Sequence, residues 1–131
     1  MDIISHGLWG GVAFGRKRKS LYWWAFGLGV MPDLLSFGIY TIADVLGLVS
    51  GPDWGQKLPN PTAFPQFVHT LYHLTHSFII FIFVFSLLWF LRRKLFLPLL
   101  AWGLHILIDI PTHSAAFFPD SFLVASIKFY N

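Results

Sequence analysis

Tyr72-His73-Leu74-Thr75-His76-Ser77 runs directly into Phe78-Ile79-Ile80-Phe81-Ile82-Phe83-Val84-Phe85. An unbroken apolar run reads as part of a membrane crossing, so the two histidines at its mouth stand where polar side chains are costly. The composition agrees. The chain has 131 residues, 56% of them hydrophobic, and a mean hydropathy of +0.65, against about 45 to 50% apolar residues in an ordinary soluble domain. At roughly 20 residues per crossing, this length predicts an all-α integral membrane bundle of about four helices, with no room for a separate soluble domain. Residues 1–131 therefore read as a single transmembrane helical domain.

Outward from that stretch, four segments emerge. Residues 66–91 form the most regular one. Residues 95–110 form the next, ending against Pro111, and an aromatic tail follows at 117–131. Upstream, residues 21–49 begin with the aromatics Tyr22-Trp23-Trp24, suited to a membrane interface, and contain Pro32, which predicts a kink. Residues 2–15 are short and glycine-rich, consistent with a tilted span, a re-entrant piece or an interfacial helix. They do not form an ordinary signal peptide, because the positive charge follows the apolar stretch and Asp2 precedes it. The loop 50–65 carries Gly51-Pro52 and Pro59-Asn60-Pro61, which suit neither helix nor strand.

Charge orients the bundle. The net charge is +3, and the clusters Arg16-Lys17-Arg18-Lys19 and Arg92-Arg93-Lys94 each join two apolar segments. This is the pattern of cytoplasmic loops under the positive-inside rule rather than of a nucleic-acid-binding patch. The expected location is an inner membrane with the basic loops cytoplasmic, membrane lipid as the partner, and no nucleic acid. Cysteine is absent, so any metal must be held by nitrogen and oxygen. The acids are all aspartates; there is no glutamate.

At about 1.5 Å per helical residue, His6 lies about 15 Å from the nearest basic cluster, Asp33 about 20 Å, His76 about 24 Å, and His105 and Asp109 about 16 and 22 Å. Four segments thus deliver imidazoles and carboxylates to one level, a polar His/Asp cluster near the bilayer midplane. A lone histidine in a span serves more often as an interhelical hydrogen-bonding group, but a carboxylate there costs about 2.5 to 3.5 kcal/mol and marks a functional site by default. His105 and Asp109, four residues apart, share a helix face and can bind one cation. Imidazole and carboxylate are ligands that zinc or manganese accepts. His69, His73 and His76 fall on one face of a continuous helix. His69 suits the interface, whereas His73 is either a ligand or a donor behind the ligands. His113, beyond Pro111, can cover the site, and Asp44 is a further carboxylate for proton transfer. The tryptophans, Trp102 among them, read as membrane belts and packing, and Met31 as ordinary core.

The order Asp2-Ile3-Ile4-Ser5-His6-Gly7-Leu8-Trp9-Gly10, Gly27-Leu28-Gly29-Val30-Met31-Pro32-Asp33, Thr75-His76-Ser77, then His105-Ile106-Leu107-Ile108-Asp109 resembles the YdjM-like family of predicted membrane-bound, metal-dependent hydrolases over nearly the whole chain. The resemblance implies metal roles for His6, Asp33, His76, His105 and Asp109. The order is also similar to the ligand order of zinc-dependent phospholipase C and related single-strand nucleases, which points to phosphoesters. Two departures stand out: Leu34-Leu35-Ser36 where the family carries a second acid, and Leu71-Tyr72 where it often has His-Arg.

The expected activity is hydrolysis of a phosphoester or lipid-borne substrate, with one or two divalent ions, zinc above all, activating water. Asp109 and Asp33 are the expected catalytic carboxylates, with Asp44 as an alternative proton acceptor. Two other classes stay open: a metal or proton conduit, which needs polar groups at several depths, and a structural subunit with a polar core.

Overall fold

A computed structural model describes residues 2–49 and 64–112. The described chain is all helical. Helix α1 spans Ile3–Phe14. Helix α2 spans Lys19–Asp33, passes through a π turn at Leu34–Gly38 and continues as α3, Ile39–Val45. Helices α4 (Gln66–Thr75) and α5 (Phe78–Arg92) follow, then a 3₁₀ turn at Leu97–Leu99 leading into α6, Leu100–Thr112. The aromatic tail, His113 and residues 50–63 lie outside the described residues.

Asp2 starts α1 by accepting from the Ser5 backbone N–H at 2.9 Å and the Ser5 hydroxyl at 2.6 Å, satisfying one of the donors that a helix start leaves open. Helices α1, α2 and α6 then approach closely at Gly10. A Cβ there would lie 2.8 Å from the Ala101 Cβ and 2.9 Å from the Ala25 carbonyl. Small residues let backbones meet where large ones would hold them apart.

Pro32 does not interrupt its segment. Lys19–Val45 is one helix of 27 residues, and the widened π turn directly after Asp33 takes up the irregularity; such turns are often found at functional sites. The Ser36 hydroxyl donates to the Pro32 carbonyl at 3.0 Å and stitches the turn to the preceding helix.

The segment expected to be most regular is the one that breaks. Helices α4 and α5 meet at a 52° bend at His76-Ser77. Thr75 and Ser77 offer the backbone local hydrogen bonds that compete with a continuing helix. The Thr75 hydroxyl lies 2.9 Å from the Leu71 carbonyl and 3.2 Å from that of Pro32, and the Ser77 side chain caps α5 at Ile80. The bend turns the His76 ring away from the helical register that would align it with His69 and His73. At the other end, α6 runs through Pro111 to Thr112 instead of stopping at Ile110. Pro111 falls in the closing turn, where its ring removes only one late backbone bond.

Lys19–Val45 is long and apolar enough to cross a membrane, α4 with α5 would make a second crossing if taken as one bent span, and the apolar helices Ile3–Phe14 and Leu97–Pro111 are shorter. Both basic loops lie at the same end, because Trp24, early in α2, meets Phe96, just before α6, edge to face at 6.1 Å. Phe81, Leu99, Trp102 and Ile106 form the core beneath α5, and Tyr40, Phe64 and Val68 form a second cluster near α3 and α4. Trp102 belongs to this interior and not to a belt, whereas Trp9, Trp23, Trp24 and Trp89 are exposed.

Candidate metal centre

Five of the expected residues come together. His6 projects from α1, Asp33 from the last turn of α2, His76 from the α4–α5 break, and His105 and Asp109 from one face of α6. Asp33 is 6% exposed and the other four 1% or less. Asp33, His76, His105 and Asp109 each offer a ligand atom within 4.8 Å of the other three.

The surrounding carbonyls fix which nitrogen of each imidazole faces inward. Nδ1 of His105 lies 2.6 Å from the Gly29 carbonyl, and Nδ1 of His76 lies 3.1 Å from the Tyr72 carbonyl. A carbonyl only accepts, so each Nδ1 carries the hydrogen. Thr75 Oγ1, also 3.1 Å from the His76 Nδ1, has its single hydrogen drawn to the nearer Leu71 carbonyl and can accept too. In the neutral rings both Nε2 atoms are then left as bare lone pairs, yet they face each other at 3.0 Å. Two lone pairs at that distance repel unless a cation, a metal ion or a proton, lies between them. Nδ1–H bonded to a backbone carbonyl with Nε2 turned inward is the usual arrangement of a metal-ligating histidine.

The carboxylates complete the set. Oδ2 of Asp109 lies 3.2 Å from the His105 Nε2 and 3.5 Å from the His76 Nε2, and Oδ1 of Asp33 lies 3.7 and 3.5 Å from the same atoms. A tetrahedron with bonds of about 2.0 to 2.1 Å has edges of about 3.3 Å. Five of the six donor separations run from 3.0 to 3.7 Å and bracket that value, and the sixth, between the two carboxylates, is within 4.8 Å, so the four residues can hold one divalent ion, its charge offset by two carboxylates.

His6 stands behind this group. Its Nε2 is 3.1 Å from Oδ1 of Asp109 and its Nδ1 is 3.6 Å from Oδ2 of Asp33, so it faces the outer oxygen of each carboxylate. Neither His6 nitrogen makes a hydrogen bond of good geometry. His69 and His73 sit earlier on α4, half-buried and outside the four-residue group. Asp44 lies on α3 about 16 Å of helix beyond Asp33 and is likewise outside the group.

Sequence reasoning missed the residues that hold the ligands in place. A Cβ on Gly29 would lie 2.8 Å from the His6 carbonyl; its absence brings α1 to the site while its own carbonyl orients His105. Tyr72 stacks on His76 with ring centroids 3.8 Å apart and planes 13° from parallel. The Trp102 indole N–H donates to the Thr75 carbonyl at 2.6 Å, satisfying a carbonyl released where α4 ends. The chain matches no family model, no curated protein and no solved structure.

Proposed function

We propose that the chain is a four-crossing membrane protein of the YdjM-like kind, a metal-dependent hydrolase of phosphoester or lipid-borne substrates with zinc as its ion. The observation that carries this reading is the pair of Nε2 lone pairs converging at 3.0 Å between two buried carboxylates. The membrane setting is supported by large apolar side chains exposed on α1, α2, α3 and α5, among them Ile4, Trp23, Ile42, Phe83, Phe90 and Leu91. The short α1 and α6 then cross as tilted or locally thinned spans. The shared end of the basic loops fits the cytoplasmic face of an inner membrane.

His76, His105, Asp33 and Asp109 would hold the ion, which supplies Lewis acidity to the scissile bond and acidifies water. His6 braces the outer oxygens of both carboxylates and keeps them aimed inward. Asp33, the least buried member of the group at 6% exposure, would take the proton from the attacking water. The test is phosphate release from phosphatidic acid in vesicles by the full chain, loaded with zinc, against Asp33→Asn. The reading expects release by the zinc-loaded wild type and none by Asp33→Asn, which loses a ligand charge and should also hold zinc more weakly.

One observation favours a second reading. Four protein donors with almost no exposure resemble a closed structural site more than a catalytic site with an open position, which would make the centre a metal clasp inside a non-catalytic membrane protein. A metal-loaded wild type that is inert on every phosphoester lipid would favour the clasp.

A further inference from the structure

We propose that the cleft bounded by Arg92, Lys94, Leu95 and Phe96 binds the phosphate headgroup of an anionic membrane phospholipid, a site separate from the metal centre. The inference rests on the membrane setting proposed above but not on hydrolysis. The cleft has a volume of about 240 Å³ and combines two cations with two apolar walls, the two chemistries that the headgroup and upper acyl chain of a lipid present together. Arg92 is exposed, and its guanidinium lies over the Phe96 ring at 5.6 Å from the centroid. A stacked guanidinium keeps its edge available for bidentate contact with a phosphate.

Arg93 is turned elsewhere. It closes α5 in a left-handed conformation and lies over the Phe90 ring at 4.8 Å, leaving Arg92 and Lys94 to face the cleft. Phe96 itself meets Trp24 of α2, so the apolar wall continues onto a neighbouring helix. The exposed Leu91, Leu95 and Leu97 lie alongside, where acyl chain would run. No carboxylate competes for these cations among the described residues. Asp2 caps the far end of α1, Asp44 lies on α3, and Asp33 and Asp109 belong to the metal centre, about 20 Å of helix away from the basic loops. The second basic loop at the same end adds to the field without lining the cleft.

Native mass spectrometry of the full chain, released from micelles holding equal phosphatidylglycerol and phosphatidylcholine, tests the site. The expected result is one phosphatidylglycerol retained per chain in preference to phosphatidylcholine. Arg92→Gln with Lys94→Gln should lower that retention by roughly tenfold or more. Arg16→Gln with Lys17→Gln, the same charge removed from the other loop, should keep most of it. Phe96→Ala, which preserves every charge, should also lower retention, so the site stays testable if the double variant fails to fold. Equal retention of both lipids by the wild type overturns the proposal, as does equal loss in the two double variants, the mark of a diffuse field. Replacement of the lipid by bound phosphate under excess inorganic phosphate overturns it as well, since the ligand would then be the free anion. A wild-type chain that stays dispersed without detergent refutes the membrane setting itself, a result separable from lipid preference in micelles.

Discussion

Helices α1 and α5 are both strongly apolar, yet they relate to the rest of the molecule in opposite ways. Helix α1 buries His6, Gly7, Gly10 and Gly11 while Ile4, Leu8, Trp9 and Val12 face outward; α5, longer by three residues, buries Phe81 alone. In water the large apolar residues would be inside. In a bilayer the lipid satisfies them equally well, and what brings helices together is close backbone packing and polar contact. Helix α1 is integral to the core through its small and polar residues, and α5 is a peripheral wall held by the buried Phe81 and by the partly buried Phe78, Ile80, Val84, Phe85 and Leu88.

The contrast predicts where the molecule breaks. Gly29→Val should have the largest effect, about 3 kcal/mol or more, because the new Cβ would meet the His6 backbone carbonyl, which cannot move without shifting α1. Thermal unfolding in detergent, followed with metal content, should show both lost together. Native-like unfolding in Gly29→Val would mean that the α1–α2 seam is looser than its geometry.

Phe81→Ala comes next. The ring packs on Trp102 at 5.6 Å between centroids and covers Gly103, but in the proposed membrane setting lipid would replace part of what is lost, so the expected cost is about 1 to 2 kcal/mol rather than the roughly 3 to 5 kcal/mol of a water-soluble core. Phe83→Ala, on the exposed side of the same helix, should stay within about 0.5 kcal/mol. Similar losses at the two positions in a thermal melt would show that α5 is buried against something on its outer face.

The comparison also separates what was legible in the sequence from what was not. Helical class and the meeting of His6, Asp33, His76, His105 and Asp109 followed from apolar run lengths and from depth counted along helices, because rise per residue is nearly constant. The break at His76-Ser77 did not. Periodicity registers the apolar face of 66–91 but not side-chain bonds to the backbone, and the bend is bonded at both sides, by Thr75 to the distant Pro32 carbonyl and by Ser77 to the nearby Ile80 N–H. Trp102 read only as belt or packing, because composition cannot tell an indole at an interface from one donating to a freed carbonyl. The role of Gly29 is likewise invisible until α1 lies against it.

The smallest expected effect lies at the head of α1, outside the apolar stretch. Ser5, through its hydroxyl and backbone N–H, holds the Asp2 carboxyl below its usual 3.8. A depressed carboxylate contributes stability above its unfolded value and loses it as pH falls through the folded one. The difference in thermal midpoint between wild type and Asp2→Asn should therefore be flat at neutral pH and shrink only below about pH 4. A change centred near neutrality would contradict the capping role.

The central claim is that Asp33, His76, His105 and Asp109 share one divalent ion, and zinc-edge X-ray absorption of the purified chain after equilibration with zinc tests it most directly. One equivalent per chain, with nitrogen and oxygen neighbours at about 2.0 to 2.1 Å and an imidazole scattering pattern, is the expected spectrum. Asp109→Asn should remain folded and bind more than about a hundredfold more weakly, since it loses a ligand charge and not merely a supporting contact. A stable wild type that retains no ion, or an Asp109→Asn protein with the wild-type spectrum and occupancy, would contradict it.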